Sequence, residues 1–370
     1  MQHRPFGRTG LKTSILGFGG FHLLEIPYSE AEFLLNTYLD AGGNYIETAA
    51  SYGRGESERK IGRAVSHRRS EYVLVTKTGE RDRAGCLESL EHSLDHLRTD
   101  HVDVLLMHGV GTKRDLDQIL APGGALEGAE YAKQLGKVRH IGISMHGQPD
   151  VLLAAFHAYD FDAVMTTVNY YDRFNFPEIE NTLLPRAQRA GAAVILMKPL
   201  ADGLLWKSAE NAFRYAFSRP VSVVVSGINS RAMLADDLRY AERYEPLTRE
   251  QADQLAMGAP ELGTHVCRLC GQCLPCPVGI DIPEVFHLEG WYDRQMGNGR
   301  VDDTAEYALR ERLKHWFGNQ QLARDRYATM AIQADKCTHC GECTPRCPYG
   351  LDVEAKLAYA DYKLAGRGIF

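Results

Sequence analysis

Eight of the nine cysteines lie in two short runs near the end of the 370-residue chain. The first run, spaced C-x2-C-x2-C-x2-C, is Cys267, Cys270, Cys273 and Cys276. The second, spaced C-x2-C-x2-C-x3-C, is Cys337, Cys340, Cys343 and Cys347. Proline follows each run, and in two-cluster ferredoxins the cysteine before that proline ligates the cluster of the other run. The spacing therefore predicts two [4Fe–4S] clusters: cluster I on the first three cysteines plus Cys347, and cluster II on Cys337, Cys340 and Cys343 plus Cys276.

Two zinc sites are the alternative for these runs. Zinc ribbons use separated C-x2-C pairs, and a third cysteine at the same spacing followed by Cys-Pro is not part of that pattern. A secreted disulfide framework is disfavoured, since only Cys86 lies outside the two runs. The runs indicate metal binding in a reducing compartment, and we expect a cytoplasmic protein.

A second group of polar residues lies at the carboxyl ends of predicted strands, ahead of the cysteine runs. The group is Glu47, Tyr52, Lys77, His108, Ser144, His146, Asn169, Lys198 and Ser226. Burying a charge without a partner is costly, so a tyrosine, a lysine and a histidine at neighbouring strand ends indicate a function. For each residue taken alone, the alternative is a buried polar residue whose hydrogen bonds are made within the protein core.

Carbonyl reduction is a chemistry that suits these side chains. A tyrosine hydroxyl normally holds its proton to a pH of about 10, and a nearby ammonium favours the phenolate. A carboxylate can pair with that ammonium, and a histidine can donate a hydrogen bond to the carbonyl oxygen. The group thus predicts Tyr52 as a general acid that protonates an oxygen as hydride reaches its carbon.

Eight short apolar runs must position these residues. They are SILGFGG, YIETA, YVLVTK, VDVLLMH, HIGISMH, DAVMTTVN, AVILMKP and VSVVVSG. Longer amphipathic segments lie between them, for example residues 84–98, and such alternation predicts a parallel sheet that is buried on both faces. Eight units in a region of this length predict a (β/α)8 TIM barrel, with a doubly wound open sheet as the alternative. We expect the barrel over residues 1–260 and a small, mainly helical ferredoxin-like domain over 261–370.

Composition excludes other classes. A net charge of -6 leaves no basic surface for nucleic acid, and no apolar run approaches the length of a membrane helix. The amino-terminal residues lack the apolar core of a signal peptide.

The motifs YIETAASYGRGESERKIG, VTK, DVLLMH, IGIS and VSGINS resemble those of the aldo-keto reductases, over residues 4 to about 243. The tail with CLPCPVGIDIP resembles the ferredoxin-like domain of one branch of that family. The family's catalytic Asp, Tyr, Lys and His correspond here to Glu47, Tyr52, Lys77 and His108. The resemblance implies a carbonyl or alcohol substrate of low molecular weight and a nicotinamide cofactor.

Several positions depart from the family's cofactor site. Glu47 is one methylene longer than the family's aspartate, Met145 replaces an asparagine, and Asn169 stands where glutamine is usual. Near the site for the 2′-phosphate, Met233 and Asp237 replace the usual arginine and asparagine. The resemblance leaves NADPH and NADH open, with cofactor-binding candidates Ser144, Asn169, Lys198, Ser226, Gly227, Asn229 and Arg231.

Three roles remain open for the clusters, because hydride carries two electrons and each cluster passes one. They transfer electrons, with a ferredoxin-like protein as the partner; or they are structural or sensory beside a conventional NAD(P)H carbonyl reductase; or the chain is a non-catalytic electron-transfer module. The intact Tyr52, Lys77 and His108 argue against the third role. No flavin motif is visible, although barrels bind flavin with little sequence trace.

Overall fold

In the computed structural model, which describes residues 1–146, 149–296 and 319–366, each of the eight apolar runs overlaps one strand of a closed parallel barrel. A short antiparallel pair, β1 (His3–Pro5) and β2 (Lys12–Ser14), precedes it. The barrel strands are β3 (Leu16–Gly19), β4 (Tyr45–Glu47), β5 (Val73–Thr78), β6 (Val102–Met107), β7 (Val138–Ser144), β8 (Ala163–Thr167), β9 (Ala193–Met197) and β10 (Val223–Gly227). They pair in chain order and close between β10 and β3, so the predicted barrel is confirmed.

The barrel interior is filled by apolar side chains rather than open. Alternate residues of its strands, among them Val73 and Val75, form one buried cluster with Phe6 from the amino-terminal pair. The pair lies against the amino end of β9, because Arg8 donates its backbone N–H to the Gly191 carbonyl at 2.7 Å. Gly7 has φ +56°, and a Cβ there would lie 2.4 Å from the backbone nitrogen of Ala193. The pair therefore closes the end of the barrel opposite the carboxyl ends of the strands.

Helices alternate with the strands as the periodicity predicts. They are α1 (Tyr28–Asp40), α2 (Glu56–Val65), α3 (Arg83–Leu97), α4 (Lys113–Leu120), α5 (Ala125–Gln134), α6 (Pro149–Ala158), α7 (Leu184–Arg189), α8 (Ala209–Phe217) and α9 (Arg231–Glu242). The segment predicted at 84–98 is α3, which begins after Asp82 because that side chain accepts from the Gly85 N–H. Leu90, Leu94 and Leu97 are buried along one face of α3.

The chain divides into two compact units, each assembled from separate segments. The first consists of Met1–Val168, Asn181–Pro199 and Phe213–Pro246, and the second of Asn169–Glu180, Leu200–Ala212 and Leu247–Phe370. The second unit holds α10 (Arg249–Gly258), α11 (Ile282–Asp293), α12 (Gln320–Ala328) and α13 (Val353–Ala365), so the mainly helical second domain is confirmed. Its boundary near residue 260 stays a prediction. None of the helices in the described ranges is both long and apolar enough to cross a membrane.

Candidate active site and iron–sulfur centres

The side chains of Lys77, Glu47 and Tyr52 meet at the carboxyl ends of β4 and β5. Glu47 is the last residue of β4 and pairs in register with Val75, so its carboxylate lies beside Lys77 on the neighbouring strand. The two form a buried ion pair. Lys77 Nζ also donates to the Tyr52 hydroxyl at 3.0 Å and to the Thr48 carbonyl at 2.9 Å. The ammonium therefore links the carboxylate directly to the phenol.

Burial sets the electrostatics of this group. It raises the pKa of Tyr52 and lowers the pKa of Lys77, because each charged form is poorly solvated there. The Glu47 carboxylate opposes the second effect, since it favours the ammonium. The Tyr52 phenol is thus held in its protonated form, with a hydrogen-bond donor already directed at its oxygen.

His108 follows β6 and lies edge-on to Tyr52, with ring centroids 5.8 Å apart. Burial and the charge of Lys77 lower the pKa of His108 to about 3, with His146 and Arg81 adding to the effect. The ring is therefore neutral at physiological pH. Ser51 Oγ lies 3.4 Å from its Nδ1, and a neutral ring that accepts there has its Nε2–H free to donate.

Two groups around Lys77 and His108, one backbone carbonyl and one side chain, went unassigned in the sequence-based prediction of the catalytic group. The Thr48 carbonyl accepts from Lys77, and Ser51 contacts His108. Both lie in the strand-to-helix loop that carries Tyr52, but backbone acceptors leave no trace in residue types. Phe21 is 43% exposed and packs edge-on against Tyr52, with ring centroids 5.0 Å apart.

The residues predicted to bind the nicotinamide lie at or just after the carboxyl ends of different strands. Ser144 Oγ donates to the Met107 carbonyl at 3.2 Å and accepts from the Gly109 N–H at 3.3 Å. Lys198 follows β9 with φ +62°, in the left-handed region. Asn169 belongs to the second compact unit, where its amide donates to Asp172 at 2.8 Å and its carbonyl accepts from the Asp172 N–H at 2.7 Å. The Asn169 side chain therefore closes a local turn.

The residues predicted to bind the phosphate side of the cofactor interact with carboxylates. Asn229 donates to Glu25 at 2.7 Å, and Arg231 forms a two-pronged ion pair with Glu30 at 2.8 and 2.9 Å. The His22 ring occupies the space beside Gly227, where a Cβ would lie 2.0 Å from it. The sequence-based prediction missed both glutamates, because they precede the loop by about 200 positions along the chain.

Ser226, at the end of β10, hydrogen-bonds to Asp237 on α9. Burial raises the pKa of Asp237 to about 7, although the Ser226 hydroxyl opposes the change. This carboxyl therefore sits near half-ionisation at neutral pH, in the position where the resemblance implied a neutral asparagine.

The eight cysteines divide into two sets, each lining one cavity. Cys267, Cys270, Cys273 and Cys347 line a cavity of about 320 Å³, which is partly open to solvent. Cys276, Cys337, Cys340 and Cys343 line a second of about 350 Å³. Over the described ranges, no three His, Cys, Asp or Glu side chains converge closely enough to hold a single metal ion. Each set instead surrounds a volume, as the ligands of a cubane cluster do.

The two cysteine runs share a local conformation. The N–H of Leu269 donates to the Cys267 sulfur at 3.3 Å, and the N–H of His339 donates to the Cys337 sulfur at 3.4 Å. Leu269 and His339 have φ +53° and +56°. Backbone N–H donors directed at ligand sulfurs, here at equivalent positions of the two runs, are among the features that tune iron–sulfur clusters. The residues present therefore fit two clusters with the ligand sets that the spacing predicts.

Comparison with known protein families agrees with both parts of the chain. Residues 15–213 match the aldo/keto reductase family, and residues 266–352 match a 4Fe-4S dicluster domain. The chain belongs to the aldo/keto reductase family. It is an oxidoreductase of that family with a carboxyl-terminal iron–sulfur domain.

Relatives of this aldo/keto reductase match its barrel at modest identity. An uncharacterized oxidoreductase of Bacillus subtilis is 29% identical over 55% of this chain and 67% of its own length. The L-galactose dehydrogenase of Arabidopsis thaliana is 31% identical over 55% of this chain and 66% of its own length.

Solved structures agree with the barrel. An aldo-keto reductase of Bacillus halodurans superposes with a TM-score of 0.61 at 26% identity, over 70% of this chain and 96% of its own. The aldo-keto reductase of Klebsiella pneumoniae in complex with NADPH gives 0.58 at 21% identity over 70% and 96%, which shows the fold alone.

Proposed function

We propose that the chain interconverts a carbonyl and an alcohol, with Tyr52 as the general acid in reduction and the general base in oxidation. The observation that supports this most directly is the contact of Lys77 Nζ with the Tyr52 hydroxyl at 3.0 Å, while Glu47 pairs with the same ammonium. As Tyr52 gives up its proton, the growing negative charge on its oxygen is stabilised by the ammonium beside it.

His108 orients the substrate rather than donating the proton. Its pKa of about 3 keeps the ring neutral, so it donates a hydrogen bond to the carbonyl oxygen without transferring charge. Glu47 favours the charged form of Lys77, which burial disfavours, through the ion pair between them. A bound nicotinamide supplies or accepts the hydride.

The nicotinamide site is proposed to use Ser144, Lys198 and the loop that contains Ser226, Gly227, Asn229 and Arg231. An aldo-keto reductase of the same fold, from Klebsiella pneumoniae, forms a complex with NADPH, which supports proposing a nicotinamide nucleotide here. Because Arg231 is engaged by Glu30 and Asn229 by Glu25, nucleotide phosphates must compete with two carboxylates. Asn169 is proposed to contribute through the conformation of its loop, since Asp172 engages both ends of its side chain.

The clusters are proposed to transfer electrons. Cys267, Cys270, Cys273 and Cys347 would ligate cluster I, and Cys337, Cys340, Cys343 and Cys276 would ligate cluster II. When bound, two [4Fe–4S] clusters hold one transferable electron each, which together equal the two electrons of a hydride. A ferredoxin-like protein in the cytoplasm is the proposed partner, and a small carbonyl or alcohol compound the substrate.

An anaerobic titration of the purified protein with NADH, and separately with NADPH, tests the proposal. We expect one nucleotide to bleach the broad cluster absorbance and to produce an electron spin resonance signal. Binding without bleaching would instead support a conventional carbonyl reductase with structural or sensory clusters. Absence of binding by both nucleotides would overturn the nicotinamide site.

The Tyr52→Phe variant tests the acid separately. We expect a loss of turnover of roughly 100-fold or more with unchanged cluster absorbance, since a general acid contributes about that factor. Tyr28→Phe is the matched control, because the hydrogen bond that Tyr28 donates to Glu32 lies on the solvent-exposed side of α1. Turnover that survives in Tyr52→Phe would remove this residue from the reaction.

A further inference from the structure

The segment after β8 is bound, within the second unit, by Arg294, the residue that follows α11. Arg294 is fully buried and donates to Asp172 at 2.7 Å. Asp172 in turn binds both ends of the Asn169 side chain. One guanidinium therefore fixes the turn that contains a proposed cofactor residue.

The same guanidinium also binds the segment after β9. It lies 3.1 Å from the Asp202 carboxylate and donates to the Ala201 carbonyl at 3.4 Å. Ala201 and Asp202 have φ +49° and +59°, in a region that residues other than glycine rarely adopt. Such backbone persists only where its surroundings impose it. Arg294 supplies two of the contacts that hold it here.

Gln295, the residue after Arg294, connects the segment after β8 to the first cysteine run. Its side-chain oxygen accepts from the Cys267 backbone N–H at 2.7 Å, and its side-chain nitrogen donates to Asn175 at 3.2 Å. Gln295 is 1% exposed. One side chain therefore bonds both to a proposed ligand residue of cluster I and to the segment after β8.

The rest of α11 packs tightly on the same segment. A Cβ at Gly290 would lie 2.7 Å from the side-chain oxygen of Asn175 and 2.9 Å from its Cα. His287 lies 3.1 Å from the Glu178 carboxylate. The segment Asn169–Glu180 therefore contacts α11 at Asp172, Asn175 and Glu178.

We propose that Arg294 and Gln295 are positioning residues. Through them, the conformational order of the segments Asn169–Glu180 and Leu200–Ala212 depends on the folding of the first cysteine run around cluster I. The two segments leave the carboxyl ends of β8 and β9, where the loops of barrel enzymes bind their ligands. The inference rests on the proposed ligand set of cluster I. By linkage, anything that orders these segments also stabilises the cluster site.

Hydrogen–deuterium exchange tests the proposal on the full-length protein, with its clusters and after anaerobic removal of iron with a chelator. We expect cluster removal to raise exchange in peptides covering 169–180 and 200–212 by roughly tenfold or more, because Gln295 bonds the first segment to Cys267 and the adjacent Arg294 binds both segments. Peptides covering β5 and β6 are the internal reference. Gln295→Leu, with its iron retained, is expected to raise exchange in the same two segments.

The decisive result is the effect of cluster removal in the Gln295→Leu variant. If Gln295 transmits the effect, removing iron changes exchange less in the variant than in the wild type, because coupled perturbations do not add. An equal factor in both proteins would overturn the proposal, as would unchanged exchange in the cluster-free wild type. If Gln295 only stabilised the fold, the effects of the substitution and of iron removal on the exchange rate would be additive.

Two further variants test whether the ion pair of Arg294 is specifically required. Asp202→Asn keeps the shape of the side chain and weakens the ion pair to Arg294, so increased exchange in 200–212 is expected without loss of folding. Arg324→Gln is the matched control, because Arg324 binds the Lys363 carbonyl and the Tyr292 hydroxyl instead. If the control loosens the two segments as much as Asp202→Asn does, the proposal fails. Exchange needs no turnover, so these outcomes stand apart from those of the nucleotide titration.

Discussion

The raised pKa of His287 on α11 predicts that the second unit loses stability as the pH rises above neutrality. Burial alone would lower its pKa, but the carboxylates of Glu178 and Glu284, at 3.1 and 3.2 Å, raise it to about 9. An imidazole with a raised pKa stabilises the fold fully below its unfolded value of 6.5, and the contribution disappears as the pH rises through 9.

The size of the effect follows from the change in pKa. A rise from 6.5 to about 9 corresponds to about 3 kcal/mol of stabilisation at low pH. His287 itself is 11% exposed, whereas Glu284 is 46% exposed and partly screened by solvent. We therefore expect about 2 kcal/mol, most of it from Glu178.

The assay compares the wild type with His287→Gln, a neutral side chain of similar reach. Urea unfolding is followed under anaerobic conditions by the loss of cluster absorbance, at several values between about pH 6 and pH 9.5. The difference in unfolding free energy should be greatest near pH 6 and should shrink steadily as the pH rises from about 6.5 to 9. A difference that is constant over this range, or that grows with pH, would refute the assignment of a charged His287.

Three other changes have defined outcomes. Glu47→Gln should destabilise the barrel by about 3 kcal/mol in urea unfolding, because it leaves the Lys77 ammonium buried without its carboxylate; an unchanged midpoint would contradict the pair. Cys340→Ser should lower iron below the approximately eight atoms per chain that two cubane clusters contain, as measured by metal analysis; full iron content would contradict the ligand set. Gly7→Ala should destabilise the barrel by about 2 kcal/mol or more, since its Cβ meets the backbone of β9. Gly10→Ala, at φ +81° with open space around it, shows the cost of the backbone conformation alone.

The barrel was predictable because its strands are apolar runs separated by amphipathic helices. Strands buried on both faces require such runs, and parallel strands require the helices between them. The pair β1 and β2 was not predicted, since strands of three residues with the sequences HRP and KTS show no alternation. It is held instead by contacts such as Arg8 to Gly191, which are distant along the chain.

The convergence of the proposed catalytic side chains was predictable for a topological reason. Consecutive strands are neighbours in this barrel, so residues at successive strand ends must meet. Asn169 shows the limit of that argument, because its amide binds Asp172, three residues away in the same turn. Residue type and position at a strand end do not reveal such local competition for hydrogen bonds.

Arg294 and Gln295 were not predictable at all. Both have positive φ without being glycine, and both are buried although their side chains are polar. Sequence patterns would place an arginine and a glutamine after an amphipathic helix on the surface. Their burial depends on Asp172, Asp202 and the backbone of Cys267, which come together only in the folded unit.

This arrangement changes what a loss of activity in air would mean. The segments that leave β8 and β9 belong to the same compact unit as the cysteine runs. Gln295 and Arg294 bond one of them to Cys267 and both of them to the end of α11. Destroying cluster I should therefore disturb these segments even if no electron passes through the clusters during turnover. Loss of activity with the clusters cannot by itself demonstrate electron transfer, whereas bleaching of the clusters by a nicotinamide nucleotide requires it.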